Sequence, residues 1–200
     1  GTIPVDVKEL GVDCLSLSGN QFYGPKGVGA LWVRRGIRIM PYLDGGVQEG
    51  GRRAGTENVP AIAGLGKAAE LAMAAMSERV KQLVPLRDRL IKELPSRIKY
   101  VRVTGHPENR LPGHASLCIG FIEGEAMLML LNSQGVGVTS GSACTSRALK
   151  ASHVLIAMGL THAVAQGSLL FSFGLTNTMD DADYVLEVLP PIVERLRQMS

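Results

Sequence analysis

Apolar positions change their spacing twice along this chain. Over the first 60 residues they fall in short runs, Cys14-Leu15-Ser16-Leu17-Ser18 and Val28-Gly29-Ala30-Leu31-Trp32-Val33, each bounded by turn residues. Runs of that length and boundary predict buried strands joined by glycine loops. Beyond Asn58-Val59-Pro60 the spacing lengthens to three and four residues, through Ile62, Leu65, Ala69, Met73, Met76, Val80 and Leu83. That is one face of a long helix. Pro85 predicts a kink or restart in it, and Leu86, Leu90 and Leu94 carry the stripe on until Pro95 ends it. From about residue 98 strands and helices alternate: Tyr100-Val101-Arg102-Val103 and Ala115–Phe121 as strands, Glu125–Leu131 as a short helix, Leu169–Phe173 as a strand. Thr178-Met179-Asp180-Asp181 has the capping-box pattern with Asp in place of Glu or Gln, and opens a last helix to Met199. Pro190 and Pro191 predict a kink within it. The expected organisation is a remnant of a large α/β sheet domain over 1–60, a connecting helix over 61–95 and a small α+β domain over 96–200.

Composition narrows the class. The 200 residues are 46% hydrophobic and 20% charged with a net charge of +3, which excludes intrinsic disorder. No uncharged apolar run approaches the ~20 residues of a membrane span. No stretch gathers five like charges, so no nucleic-acid-binding tail is expected. Aromatics make up only 4%, leaving Ala, Leu, Val, Ile and Met to fill the core. Glycine is abundant at 24 residues, and 12 of them lie within the first 55. Three cysteines, an odd number with no signal peptide at the start, favour a reducing cytoplasm. The chain opens on Gly1 and an amphipathic strand without a preceding turn, as a fragment or one half of a split protein would.

Three constellations can carry chemistry. Ser18-Gly19-Asn20-Gln21 follows a strand and can present hydroxyl and amide donors to an anion, or be a plain turn. The glycine- and arginine-bearing run from Gly45 to Thr56 can close over an acidic ligand or a neighbouring subunit, or be a solvated loop. In Ser140-Gly141-Ser142-Ala143-Cys144-Thr145-Ser146 a cysteine stands among small polar residues on a loop. Cys144 is thus a candidate nucleophile or metal ligand, against the alternative of a serine-like loop residue. Cys14 and Cys118, within apolar strands, read as inert core residues. Among the histidines, His106 and His162 fall in turns, His114 precedes a strand and His153 starts a helix. No pair has metal-ligand spacing, so no zinc site is expected.

Taken together, Tyr23-Gly24-Pro25-Lys26-Gly27-Val28-Gly29-Ala30-Leu31, Gly55-Thr56-Glu57-Asn58-Val59-Pro60 and the Cys144 loop resemble the class V, pyridoxal-phosphate-dependent cysteine desulfurases of iron–sulfur cluster assembly. The resemblance spans the whole chain and corresponds to the C-terminal half of that family. It implies the C-terminal part of a PLP-transferase, aspartate-aminotransferase-like α/β fold. Cys144 would then attack the sulfur of cofactor-bound L-cysteine and carry it as a persulfide, or ligate a shared iron–sulfur cluster. Ser18, Asn20 and Gln21 would line the cofactor, and Thr56 would reach the phosphate of the other subunit of a homodimer. An iron–sulfur scaffold protein would receive the sulfur.

Two departures bear on that chemistry. The family carries Ser-Gly-His-Lys where this chain has Ser18-Gly19-Asn20-Gln21, so the Schiff-base lysine is replaced by Gln21. Lys26 matches a second lysine that the family already carries. The arginine that holds the substrate carboxylate falls at Leu170, and the Gly-Arg that follows reads Gly174-Leu175. Loss of such a charge-assisted pair costs about 2–5 kcal/mol of binding. The residues expected to stack on the cofactor ring and pair with its nitrogen are not in this chain. Three readings follow: impaired desulfurase chemistry with Cys144 as sulfur carrier, an active desulfurase, or a non-enzymatic dimeric scaffold-binding module.

Overall fold

The computed structural model describes residues 1–141 and 151–199. They form two compact units, Gly1–Ser77 and Glu78–Ser200. In the first, β1 (Cys14–Ser18) pairs antiparallel with β2 (Gly29–Val33), in register from Cys14 opposite Val33 to Ser18 opposite Gly29. A 3-10 turn, Gly19–Phe22, follows β1 directly. The short α1 (Gln48–Gly51) interrupts the glycine-rich loop, and α2 (Val59–Ala74) follows.

Helix α2 packs on the turn after β1 through glycine. A Cβ on Gly64 would stand 2.6 Å from Pro25 Cγ, and one on Gly24 would stand 3.2 Å from Ala68 Cβ. Yet a two-stranded ribbon and one helix bury little. Among the described residues of this unit only Gly19, Ala68 and Ala72 are buried, while Met40 is 91% and Tyr42 98% exposed. Cys14, expected in the core, is exposed, because nothing within this unit covers β1.

The expected single helix is two. Helix α2 stops at Ala75 (φ −97°, ψ 5°), and α3 (Met76–Arg97) begins immediately after it. The break comes where neither proline nor glycine marks it. Pro85 and Pro95, read as restart and stop, both lie inside α3.

The second unit holds a three-stranded antiparallel sheet in the order β3 (Val101–Val103), β4 (His114–Ile119), β5 (Ser168–Ser172). Alternation sorts its residues. Ala115, Leu117 and Ile119 of β4 and Leu169 and Phe171 of β5 enter one core. Leu90 and Leu94 of α3 join them, with Met127 and Leu131 of α4 (Gly124–Ser133) and Val185, Leu186, Leu189 and Val193 of α7 (Met179–Gln198). Leu90 and Leu94 are fully buried, and each such leucine contributes about 1.5–3 kcal/mol by burial. On the opposite face Cys118 meets Leu155 of α5 (His153–Ala157) and Ala165 of α6 (His162–Gln166). His162 therefore opens a helix rather than lying in a turn. Pro190 and Pro191 lie within the single helix α7.

Polar ties fix the connections. Arg87, buried on α3, pairs with Asp88 at 2.8 Å and donates to the carbonyls of Arg110 and Leu111 at 3.5 and 3.4 Å. Gln82 Nε2 donates to the carbonyls of Leu175 (2.8 Å) and Asn177 (3.1 Å), holding the turn between β5 and α7. The capping box is present: Asp181 accepts the Thr178 backbone N–H at 2.8 Å and an Asn177 amide N–H at 3.1 Å.

Two outcomes follow. The Thr178 N–H, then the Asn177 amide, holds the Asp181 carboxyl below its ordinary pKa. A depressed folded-state pKa gives stability that is present above the unfolded value and lost as pH falls through the folded one. Asp181→Ala should therefore lower Tm by about 2–4 °C at neutral pH, and the gap to wild type should close in acid, as read by circular dichroism melts. In limited tryptic digestion, cleavage after exposed Arg34, Arg35, Arg38, Arg52 and Arg53 should precede cuts after the lysines and arginines of residues 78–141 and 151–199, since so little of the first unit is buried. Equal rates in the two units would contradict that difference.

Candidate functional site

The turn after β1 is fixed by its backbone. Gly19 donates its N–H to the Val28 carbonyl at 2.9 Å, and Gly24 to the Gly19 carbonyl at 2.8 Å. A Cβ on Gly29 would stand 2.6 Å from the Leu17 carbonyl oxygen, so only glycine lets β2 approach β1 there. Within this frame the Ser18 hydroxyl donates to Asn20 Oδ1 at 2.6 Å. Gln21 is exposed, and among the described residues its carboxamide bonds to nothing. Ser18, Asn20 and Gln21 thus stand together.

Thr56 stands apart in sequence, in the exposed loop ahead of α2, and no hydrogen bond among the described residues joins it to the Ser18 turn. The loop before it ties itself up. Gln48 Oε1 accepts the Gly55 N–H at 3.2 Å, Arg53 donates to the Ala54 carbonyl at 2.7 Å, and Arg52 to the Glu49 carbonyl at 3.5 Å. Asn58 caps α2 by accepting the Ala61 N–H at 3.3 Å, and Pro60 occupies its first turn, so part of the Gly55–Pro60 motif is a helix start.

In the second unit Leu170 is half-buried and stands opposite Ser116 on β4. On its other side Thr139 forms an isolated bridge to it: Leu170 N–H to the Thr139 carbonyl at 2.8 Å, Thr139 N–H to the Leu170 carbonyl at 3.3 Å. The position to which resemblance assigns a carboxylate-binding arginine therefore adjoins the segment entering the cysteine loop. Cys144 itself, with residues 142–150, lies outside the described residues. No cluster of three His, Cys, Asp or Glu side chains suited to a metal occurs among the described residues.

Sequence reasoning missed several organising residues. Arg87, Arg110 and Asn177 gave no signal, since an arginine bound to distant carbonyls has no local pattern. Nor did it find a groove of about 740 Å3, lined by Tyr100, Phe121, Ile122, Val164 and Met199, which contains none of the nominated residues. Tyr100 and Phe121 meet edge to face there at 5.0 Å, with Arg197 5.6 Å from the Tyr100 ring.

Comparison with protein families matches residues 1–185 to the class-V aminotransferases. The chain belongs to the class-V aminotransferase family. Cysteine desulfurase IscS of Methanosarcina thermophila is 52% identical over 200 residues, covering all of this chain and 49% of that protein. Cysteine desulfurase IscS 1 of Archaeoglobus fulgidus is 50% identical over 200 residues, covering all of this chain and 52% of that protein. Among solved structures, a NifS-like protein superposes with a TM-score of 0.85 at 35% identity, over 97% of this chain and 50% of its own. A NifS-like protein from Rickettsia africae gives 0.87 at 32%, over 96% and 51%. The chain spans about half the length of the curated relatives it matches. Its fold is the mixed α/β PLP-transferase type.

Class-V membership implies pyridoxal phosphate, and the residues present fit it in part. Ser18, Asn20 and Thr56 are hydroxyl and amide groups of the kind that hold a phosphate. Gln21 has no amine for covalent attachment, so that function of the turn does not fit. The cysteines also differ in availability. Burial pushes the Cys118 thiol up to about 11, keeping it protonated at neutral pH, whereas Cys14 is exposed. Iodoacetamide at mildly alkaline pH should therefore label Cys14 in the folded protein and Cys118 only after denaturation, read by peptide mass spectrometry.

Proposed function

We propose that this chain is the cysteine-loop half of a cysteine-desulfurase-like protein of iron–sulfur cluster assembly, in which Cys144 carries sulfur or ligates a shared cluster and the desulfurase step is impaired. The observation that carries the reading is Gln21, exposed and amine-free in a turn whose backbone is otherwise fully formed. As a sulfur acceptor, the Cys144 thiolate would attack the terminal sulfur of a partner's persulfide. The S–S bond of the donor breaks, one forms on Cys144, and the donor leaves as thiolate, with no net oxidation.

Bound pyridoxal phosphate supplies an electron sink for carbanion chemistry. In this reading Ser18, Asn20 and Thr56 hold its phosphate without a covalent tether. Leu170 offers no charge to a substrate carboxylate, whether of L-cysteine or another amino acid. The bare surfaces of the first unit, Met40, Tyr42 and Leu31 among them, support cover by the rest of the protein and by a second copy, with Thr56 at the subunit boundary. No single helix among the described residues is long and apolar enough to cross a membrane. A scaffold protein as sulfur recipient and a cytoplasmic location complete the proposal.

The names of the relatives favour a second reading, an active desulfurase. Borohydride reduction of the protein with pyridoxal phosphate separates the two. Wild type should show no covalent mass gain, Gln21→Lys should gain one, and wild-type sulfide release from L-cysteine should lie at least about 100-fold below that of the Gln21→Lys, Leu170→Arg double variant. Rapid release by wild type, unchanged in the double variant, supports the active enzyme and overturns impairment.

A further inference from the structure

Strand β3 is an open edge of the three-stranded sheet. Its bonds to β4 fall on even residues: Thr104 donates its N–H to the Ser116 carbonyl at 3.0 Å, and the Tyr100 carbonyl accepts the Gly120 N–H at 2.9 Å. Successive residues of an antiparallel strand direct their main-chain groups to opposite sides. The N–H and carbonyl of Val101 and of Val103 therefore point away from β4, and no hydrogen bond among the described residues takes them up. Pairing with β4 thus runs from Tyr100 to Thr104 and leaves a row of free donors and acceptors on the outer side.

The apolar groove starts at the same strand. Tyr100, Val101 and Arg102 line it with Phe121, Val164 and Met199. The rings of Tyr100 and Phe121 stand 68% and 72% exposed although they pack on each other. Both residues lie in the left-handed region, at φ 59° and 65°, which bulky side chains rarely adopt. Arg197 holds the turns that carry them, donating to the Lys99 carbonyl at 2.8 Å and the Gly120 carbonyl at 3.0 Å. Charge then selects the occupant. From Ile98 to Pro107 the chain carries Lys99 and Arg102 and no carboxylate, and neither cation forms an ion pair among the described residues. Glu123, the acid lining the groove, lies beyond the end of β4 rather than on the edge. A second copy that joined Val101 of each chain to Val103 of the other would set Arg102 against Arg102, and like charges directly opposite destabilise a sheet. An acidic residue at that place is attracted instead.

We propose that the free edge of β3 docks an extended segment of a partner protein, acidic at the residue facing Arg102 and apolar on either side of it. The segment adds as a strand on Val101 and Val103 and seats an apolar side chain in the groove beside Tyr100 and Phe121. Main-chain bonds supply attachment, and the groove with Arg102 supplies selection. The site lies on the opposite edge of the sheet from the Thr139 bridge, and it is independent of any activity assigned to Cys144.

The probe is a short peptide, valine and threonine alternating about a central glutamate, and amide exchange of the intact chain reads its binding residue by residue. At about 1 mM peptide, exchange of the Val101 and Val103 amides should slow about fivefold, with Leu117 of β4 unchanged. The same peptide N-methylated at its valines cannot pair as a strand and should slow neither. In Arg102→Glu the glutamate peptide should lose its effect and a lysine-centred peptide should gain it. No slowing, equal slowing by the N-methylated peptide, or an unchanged preference in Arg102→Glu would each overturn the proposal. So would Val101 and Val103 amides that are protected before peptide is added. Protection that deepens with protein concentration assigns the edge to a second copy, and protection that does not assigns it to the chain itself.

Discussion

The two-residue period of β4 and β5 is the constraint on which the second unit depends. Odd positions of both strands, Ala115, Leu117 and Ile119 with Leu169 and Phe171, are taken by the core against α3, α4 and α7. The even positions His114, Ser116, Leu170 and Ser172 lie on the other face, where Cys118 packs against α5 and α6 and its partner Ser168 is also buried. A one-residue slip of β5 would bring Leu170 into the core and expel Leu169 and Phe171. The register that stabilises the unit is thus also what presents position 170 beside Thr139. Stability and the placement of the candidate site are one choice.

The first unit has no such sheet. Its two strands pair over five residues, but a ribbon of two strands with small side chains on the helix behind it cannot remove its own apolar surface from water. Glycine makes the local geometry possible, at Gly29 against Leu17 and at Gly64 against Pro25, and contributes no burial of its own. Local geometry and local stability are therefore separate here. The Ser18 turn is shaped by backbone bonds and close glycine contacts, while little apolar surface is buried within the unit around it.

This division explains what could be read from the sequence. Strand periodicity located β4 and β5, and the Thr178–Asp181 pattern located the start of α7, because both signals lie in adjacent residues. The break at Ala75 was not legible, since no residue there breaks a helix by itself. Cys14 was misplaced for a related reason: an apolar run reports that a strand prefers cover, not whether cover is present. The turn at 18–21 was found from residue type, but the bond between Ser18 and Asn20 was not. The clamp of Arg87 and Arg110 on backbone carbonyls leaves no periodic trace.

Gln21 and Leu170, on which the proposed loss of chemistry turns, stand where the fold asks little of the side chain. At position 21 the turn is closed by Gly19, Gly24 and Val28 and by the Ser18–Asn20 pair, so a lysine and a glutamine serve the backbone equally. At position 170 the strand bonds to Thr139 run through the main chain, and a half-buried leucine leaves no charge to be paired. The side chains at positions 21 and 170 can therefore vary while the turn, the strand register and the bridge to Thr139 are kept. At these positions the architecture rests on main-chain atoms, and the chemistry proposed for them rests on the side chains.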